Sequence, residues 1–309
     1  MSFSLSDILI QLTWAVFAAG AAVHYLTRHR LTLAVWRNIR WLRIGHYAFM
    51  IALGALFQHD HSGFRSFSDI AWPMAGMFLS LFSAALIATN HNDTADVDAD
   101  AVSNPQRPLV SGKVTVLELR RVNRWLWPFA LAGSALITPW LALFPLVAIG
   151  LYAAYSLPPL RLKRLPVLAH ILIGADSAWC ILWGFSACPG PHDALPWRYM
   201  ILALAVFSIG FHVKDLKDIS GDRAAGVPTL ATLLPEPWNR VLIALLSASC
   251  FPLVMLILGR SDMAGWIGAA VGAPISFFLI SRPTYRERLL FGLYFAYAAV
   301  LLATKYCLN

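Results

Sequence analysis

Ten separate windows of this 309-residue chain are apolar over a length that can cross a bilayer as helix, and that pattern leaves few folds open. A hydrocarbon core about 30 Å thick takes about 20 helical residues to span. Within it every backbone N–H and C=O must be satisfied inside the segment, which favours helices over isolated strands. The windows lie near residues 8–26, 41–57, 69–89, 118–138, 140–156, 166–187, 197–213, 238–259, 263–281 and 287–305. Only 13% of the residues are charged, half the share found in soluble domains. The expectation is an all-α polytopic membrane protein, with residues 1–309 forming one domain because no soluble insertion, low-complexity linker or short repeat interrupts the helices.

Lys and Arg test the topology, since cytoplasmic loops collect them. With both termini outside, all of the 24 basic residues except Arg65, Arg198, Arg260 and Lys305 fall on the cytoplasmic side. The net charge of +8 is thereby explained by juxtamembrane loops, with attraction to anionic membrane lipid as a by-product and no call for nucleic acid. The expected setting is the cytoplasmic membrane of a bacterium. The first window lacks a basic leading region and is followed by Arg28 and Arg30, which reads as a retained helix rather than a cleaved signal. Cys180, Cys188, Cys250 and Cys307 show no metal or pairing spacing and read as apolar packing residues, and Cys307 is too close to the end for a prenylation box.

Against this background two acid clusters stand out. Asn92-Asp93-Thr94-Ala95-Asp96-Val97-Asp98-Ala99-Asp100 and Asp215-Leu216-Lys217-Asp218-Ile219-Ser220-Gly221-Asp222 each follow an apolar window, and together they hold seven of the 16 acidic residues. Carboxylates this dense beside lipid repel one another and are costly to desolvate, so a cationic partner is required. On a continuous helix Asn92, Asp96 and Asp100 share a face with Asp93 on its flank, and Asp215, Asp218 and Asp222 share another with Ser208 and Phe211. Two such stripes facing each other suit a hard divalent cation, and Mg2+ in particular takes carboxylates completed by water and phosphate oxygens. Arg107, Lys113, Arg161, Lys163, Lys217 and Arg223 add positive charge around them. The plainer alternative, a solvated helix end, stays open for either cluster alone. A calcium loop fails, with Ala101 where Gly is needed and Arg107 where Glu is needed. An ion-coupled transporter is a third reading, but its carboxylates belong near the midplane on broken helices.

Between the clusters, Ser103-Asn104-Pro105-Gln106-Arg107-Pro108 excludes continuous helix, and Thr115-Val116-Leu117-Glu118 has the capping-box pattern that opens the next one. Tyr155-Ser156-Leu157-Pro158-Pro159-Leu160-Arg161-Leu162-Lys163-Arg164 is a second proline break carrying three cations.

The ordered motifs carry a family resemblance. Asn92-Asp93-x-x-Asp96-x-x-x-Asp100 followed by Asn104-Pro105-x-Arg107-Pro108-x-x-Ser111-Gly112 resembles the first aspartate-rich motif of the UbiA superfamily of intramembrane prenyltransferases. Lys214-Asp215-x-x-Asp218-x-x-Gly221-Asp222-Arg223 is similar to the second, and Tyr155-Ser156-x-Pro158-Pro159-x-x-x-Lys163-Arg164 stands between them. The match runs over roughly residues 41–305, leaving the helix at 8–26 additional. The resemblance implies nine membrane helices around a central cavity and a polyprenyl diphosphate held through Mg2+, as two ions. Asn92, Asp96, Asp100, Asp218 and Asp222 then become metal or diphosphate ligands, with Asp93 and Asp215 close behind. Arg107, Lys163 and Arg223 resemble the cations that hold the diphosphate. Arg43-Ile44 replaces the family's Arg-Pro, and Pro159 stands four residues after Tyr155 where many members have Lys. The second departure places the chain nearer the branch of chlorophyll, homogentisate and geranylgeranylglyceryl-phosphate prenyltransferases.

The expected chemistry is prenyl transfer to a small aromatic or otherwise nucleophilic acceptor, with a terpene cyclase as the alternative that needs the same ionising half-site. Metal and cations stabilise the departing diphosphate, and the aromatic faces of Tyr152, Tyr155 and Phe211 could steady a carbocation or serve only as packing. Asp176, the one acid deep in a span, is a candidate for acceptor binding or deprotonation or is a hydrogen-bonded structural acid. His46, His170 and His212 read as packing or hydrogen-bonding residues.

Overall fold

A computed structural model of the protein describes residues 4–62, 68–284 and 286–306, so Arg65 and Cys307 lie outside the described residues. The described residues contain helices and turns and no strand. In chain order the α-helices are α1 (Leu5–Arg37), α2 (Trp41–Ser62), α3 (Ser68–Ala95), α4 (Val97–Ser103), α5 (Val116–Ala135), α6 (Leu143–Ser156) and α7 (Pro166–Ala187). They continue with α8 (Trp197–Gly210), α9 (Ile219–Ala224), α10 (Leu230–Leu233), α11 (Trp238–Leu258), α12 (Met263–Ser281) and α13 (Glu287–Tyr306). Every apolar window falls on helix, with 3-10 turns at Pro139–Ala142 and Phe211–Lys217 completing the windows carried by α6 and α8. Among the described residues eight helical segments are long and apolar enough to cross a membrane, and the protein is an integral multi-pass membrane protein. The two windows outside that set are α2, which carries Arg43, His46, Gln58, His59 and Asp60, and α5, whose first nine residues include Glu118, Arg120, Arg121 and Arg124.

Local chemistry explains where helices begin. Thr115 caps α5 as the spacing predicts, its side chain accepting from the Glu118 N–H while Glu118 returns to the Thr115 backbone. Ser4 and Asp7 make the same box at α1. The structure corrects the expectation of unbroken helix through the acid clusters. α3 ends at Ala95, Asp96 leaves helical geometry (φ −114°, ψ 15°), and α4 restarts at Val97. In the second cluster a 3-10 turn spans Phe211–Lys217, Asp218 takes nearly the same conformation (φ −105°, ψ 7°), and α9 follows. Each break falls on the middle aspartate, in the sparsely populated bridge region where site residues often sit.

The chain divides into two compact units, residues 1–161 with 179–196 and residues 162–178 with 197–309, the division falling inside α7. In the first unit an apolar core gathers Ile44, Phe82, Leu86, Ile87, Leu126 and Ile149. Phe17 of α1 stacks on Trp125 at 5.0 Å, and Trp14 donates to the Ala75 carbonyl at 3.1 Å, so the additional helix is fastened to α3 and α5. α2 and the second half of α7 cross where Gly54 meets the Ile181 carbonyl and Gly184 meets the Ile51 carbonyl. A Cβ at either glycine would overlap backbone, the small-residue contact by which membrane helices approach closely. In the second unit, Val213, Leu216, Ala231, Ile243 and Ile280 form the core beside the second acid cluster. Ser247 and Ser276 share a hydrogen bond of 2.9 Å between α11 and α12, and Arg260 ties the turn before α12 to the Leu301 carbonyl at 2.6 Å.

Candidate functional site

In the first unit the acid cluster is built around Asp93, which is buried and accepts from Asn38 Nδ2 at 2.6 Å, Arg40 Nη2 at 2.6 Å and Arg107 Nη1 at 3.3 Å. Arg107 also bonds Asp100 through the same nitrogen, and Asn104 donates to Asp100 at 3.3 Å. The Pro105–Pro108 segment therefore folds back over the cluster and delivers its one cation to two carboxylates. Asn92 Oδ1 accepts from Ser156 Oγ at 3.0 Å, which joins the cluster to the end of α6. From the loop beyond α6, Arg161 Nη2 reaches Asp96 Oδ1 at 3.2 Å and the Ala95 carbonyl at 3.1 Å. Arg161 holds φ at +40°, a conformation costing a non-glycine residue about 1–2 kcal/mol that its contacts must offset. Asp98 is exposed.

These contacts leave donors over. The bonds of Arg107 all pass through Nη1 and those of Arg161 through Nη2, and Arg161 Nε is buried with no hydrogen-bond partner. A guanidinium has five N–H donors in a fixed fork, so each arginine can bond a carboxylate and a phosphate oxygen together. Arg43 Nη1 donates to the Tyr152 hydroxyl at 3.3 Å, and Tyr152 lies against Tyr155 with centroids 5.7 Å apart. Lys113 is exposed in the loop before α5.

The second unit repeats the scheme with different partners. Asp215 is buried, with Lys214 Nζ 3.8 Å from Oδ1 and His170 Nε2 3.4 Å from Oδ2. Asp218 and Asp222 flank the first turn of α9, and Lys163 and Lys214 act on Asp222 as nearby positive charges. Lys217 is turned to Glu287 at the start of α13, at 2.7 Å, and Arg223 is exposed on α9. Phe211 packs edge-on against Phe207 and Phe291, with centroids 5.6 and 6.0 Å apart. Asp176 is buried midway along α7.

Crowding leaves its mark on two carboxyls outside the spans. Burial raises the Asp100 pKa to about 6, with Asp93 and Asp96 adding to it and Arg107 opposing. Burial raises Asp222 to about 7, helped by Asp215 and Asp218 and opposed by Lys163 and Lys214. Oxygen donors held close enough to drive up one another's proton affinity fit a small hard cation, which relieves the repulsion that protons otherwise relieve. Asn92, Asp96 and Asp100 in one unit and Asp218 and Asp222 in the other are donor sets suited to Mg2+.

Three participants carry no signal in the spacing. Arg40 and Asn38 come from the α1–α2 connection, more than fifty residues before the aspartate they hold, and His170 meets Asp215 from another helix. Arg40 is legible only as a cation on the predicted cytoplasmic side.

Comparison with known proteins adds independent findings. The model of the UbiA prenyltransferase family matches residues 47–290. The digeranylgeranylglyceryl phosphate synthase of Saccharolobus solfataricus is 30% identical over 213 residues, covering 65% of this chain and 71% of that enzyme. The chloroplastic homogentisate solanesyltransferase of Arabidopsis thaliana is 26% identical over 227 residues, covering 66% of this chain and 55% of that one. Among solved structures, a UbiA homolog from Aeropyrum pernix K1 superposes with a TM-score of 0.64 at 18% identity, covering 86% of this chain and 99% of its own. A UbiA homolog from Archaeoglobus fulgidus bound to GPP and Mg2+ gives a TM-score of 0.61 at 18% identity, covering 86% and 96%. At that identity the likeness speaks to the fold.

Proposed function

Because this chain belongs to the UbiA prenyltransferase family, we propose that it transfers the prenyl group of a polyprenyl diphosphate to a small aromatic or other nucleophilic lipid- or quinone-type acceptor, releasing diphosphate at the cytoplasmic end of its helices. The reading rests chiefly on one observation, the helix break at Asp96 and again at Asp218. In both, the middle aspartate of an acid cluster steps out of helical geometry and makes no side-chain cap to the short helix it precedes. A surface helix end would use that carboxylate as its cap. Family membership sets aside the ion-coupled transporter.

In this proposal Asn92, Asp96 and Asp100 in the first unit, and Asp218 and Asp222 in the second, each serve as ligands for Mg2+ and the diphosphate. Bound there, Mg2+ would neutralise charge gathering on the leaving diphosphate. The chain's own residues do the rest. Arg107 and Arg161 turn their remaining N–H groups to phosphate oxygens while the carboxylates keep each fork oriented, a charge-assisted arrangement with strong geometric preference. Asp93 orients Arg107, and Lys163 and Arg223 add positive charge beside the second cluster. Tyr152, Tyr155 and Phe211 offer aromatic faces to the allylic cation, the apolar helices exclude water from it, and Asp176 takes the acceptor's proton or orients its hydroxyl.

Purified protein incubated with labelled geranyl, farnesyl and geranylgeranyl diphosphates, with Mg2+ or chelator and with phenolic, naphthoic and quinolone acceptors, tests the proposal. Product that requires both Mg2+ and an acceptor supports it. Product without acceptor assigns the cyclase reaction instead, and unchanged turnover in Asp96→Asn and Asp218→Asn removes both aspartates from the site.

A further inference from the structure

Beyond the oxygen-rich clusters, the second unit contains a donor set of another kind. His170 on the first turns of α7 and His212 and Asp215 on the 3-10 turn are all buried, and one ligand atom from each lies within 4.8 Å of the others. His170 Nδ1 sits 2.8 Å from the Pro166 carbonyl. A carbonyl can only accept, so Nδ1 carries the hydrogen and Nε2 of the neutral ring presents a lone pair. That lone pair faces Asp215 Oδ2 at 3.4 Å, well beyond the 2.7–2.9 Å of a charge-assisted bond. Asp215 turns Oδ1 to Lys214 and leaves Oδ2 toward the imidazoles. His170 Nε2, His212 Nδ1 and Asp215 Oδ2 are each buried without a hydrogen-bond partner.

Polar ligand atoms gathered in a buried place without hydrogen-bond partners are costly unless something electrophilic joins them. A proton on His170 Nε2 could satisfy one pair only. It would leave His212 Nδ1 unsatisfied and set a cation against the His212 ring, whose centroid is 3.6 Å from that of His170. We propose that His170, His212 and Asp215 bind a zinc-class divalent ion at a site separate in chemistry from the Mg2+ ligands. Two imidazoles and a carboxylate are the donors of borderline transition metals, whereas Mg2+ selects oxygen alone. Adjacent tetrahedral ligands around an ion with bonds of about 2.1 Å lie about 3.4 Å apart, the separation already present between His170 Nε2 and Asp215 Oδ2. The Pro166 carbonyl supplies the outer contact that fixes a ligating histidine's tautomer.

Such an ion pins the start of α7 to the turn that leads directly into Asp218, and it makes Asp215 a ligand of this ion rather than of Mg2+. The site is independent of whether the chain transfers a prenyl group, so its test uses binding and not turnover. Untagged full-length protein in detergent, stripped with chelator, is titrated with Co2+ in excess Mg2+ and followed by visible absorption. The expected result is one Co2+ per chain with the intense bands of a low-coordinate nitrogen-containing site, unaffected by Mg2+ and displaced by Zn2+. His170→Ala and His212→Ala lose the band and bind Co2+ more than about 100-fold more weakly, exceeding the effect of losing an outer-shell contact. His212→Cys guards against misfolding, because it keeps a ligand and brings a thiolate charge-transfer band. Asp218→Asn retains the original spectrum. No band, a band displaced by Mg2+, or one that survives both histidine substitutions and vanishes in Asp218→Asn overturns the site.

Discussion

Truncating Asp93 to alanine tests whether the α1–α2 connection is part of the first acid cluster. Asp93 is 3% exposed and serves two guanidinium groups and one amide. Removing one partner of a buried ion pair costs about 3–5 kcal/mol. The lower end applies to Arg40, whose side chain is 16% exposed and can recruit some water, and Arg107 keeps Asp100. The Asn38 bond, made to a charged acceptor, adds about 1.5 kcal/mol. Asp93→Ala should therefore lose roughly 4.5 kcal/mol in equilibrium unfolding in mixed micelles. Because Arg40 and Asp93 act as one unit, Asp93→Ala combined with Arg40→Gln should cost less than the sum of the single losses by about 2 kcal/mol, against the few tenths expected of independent sites. The KM for prenyl diphosphate should also rise by about tenfold, ~1.4 kcal/mol, as Arg107 loses half of its support. An Asp93→Ala protein within 0.5 kcal/mol of wild type, or additive losses in the double variant, would refute the reasoning.

Three further outcomes follow from particular contacts. Asp100 and Asp222 have pKa values raised to about 6 and about 7 from 3.8, so across that interval the folded metal-free protein binds more protons than the unfolded chain. Their contribution to stability is greatest at low pH and is lost as pH rises through the window, while Mg2+ affinity moves the other way and should fall by about 20-fold from pH 8 to pH 6. A flat Mg2+ titration over that range would contradict the assignment of both carboxyls. Arg161→Gly removes the left-handed strain and the Asp96 contact together, so stability should stay within about 1 kcal/mol of wild type while diphosphate affinity falls. Equal losses in an unfolding curve and a binding isotherm would argue against that division. Gly184→Val drives a side chain into the Ile51 backbone and should destabilise the first unit by about 3 kcal/mol or more, read as a lowered melting temperature.

Helix placement was legible because a span of about 20 apolar residues is set by bilayer thickness, and each window falls on helical structure. The Thr115 cap was legible because a capping box is set by four neighbouring residues. The breaks at Asp96 and Asp218 were missed because spacing at i, i+4 presumes the helix that carries it. A local cue was present, an aspartate preceding Val97 and Ile219 as a helix-start residue would, but neither proline nor glycine marks the break. Arg40, Asn38 and Ser156 were not legible as partners, since what brings them to Asp93 and Asn92 is tertiary packing. His170 and His212 read as ordinary packing histidines because their meeting with Asp215 depends on α7 lying beside the turn at 211–217.

Equilibrium binding of a non-hydrolysable prenyl thiodiphosphate to the purified protein, with and without Mg2+, asks most directly whether each acid cluster takes part in holding the diphosphate. The account predicts Mg2+-dependent binding that is lost in Asp96→Asn and equally in Asp218→Asn, with the double substitution little worse than either. Wild-type affinity in one of the single variants, or full affinity in chelator, would contradict it.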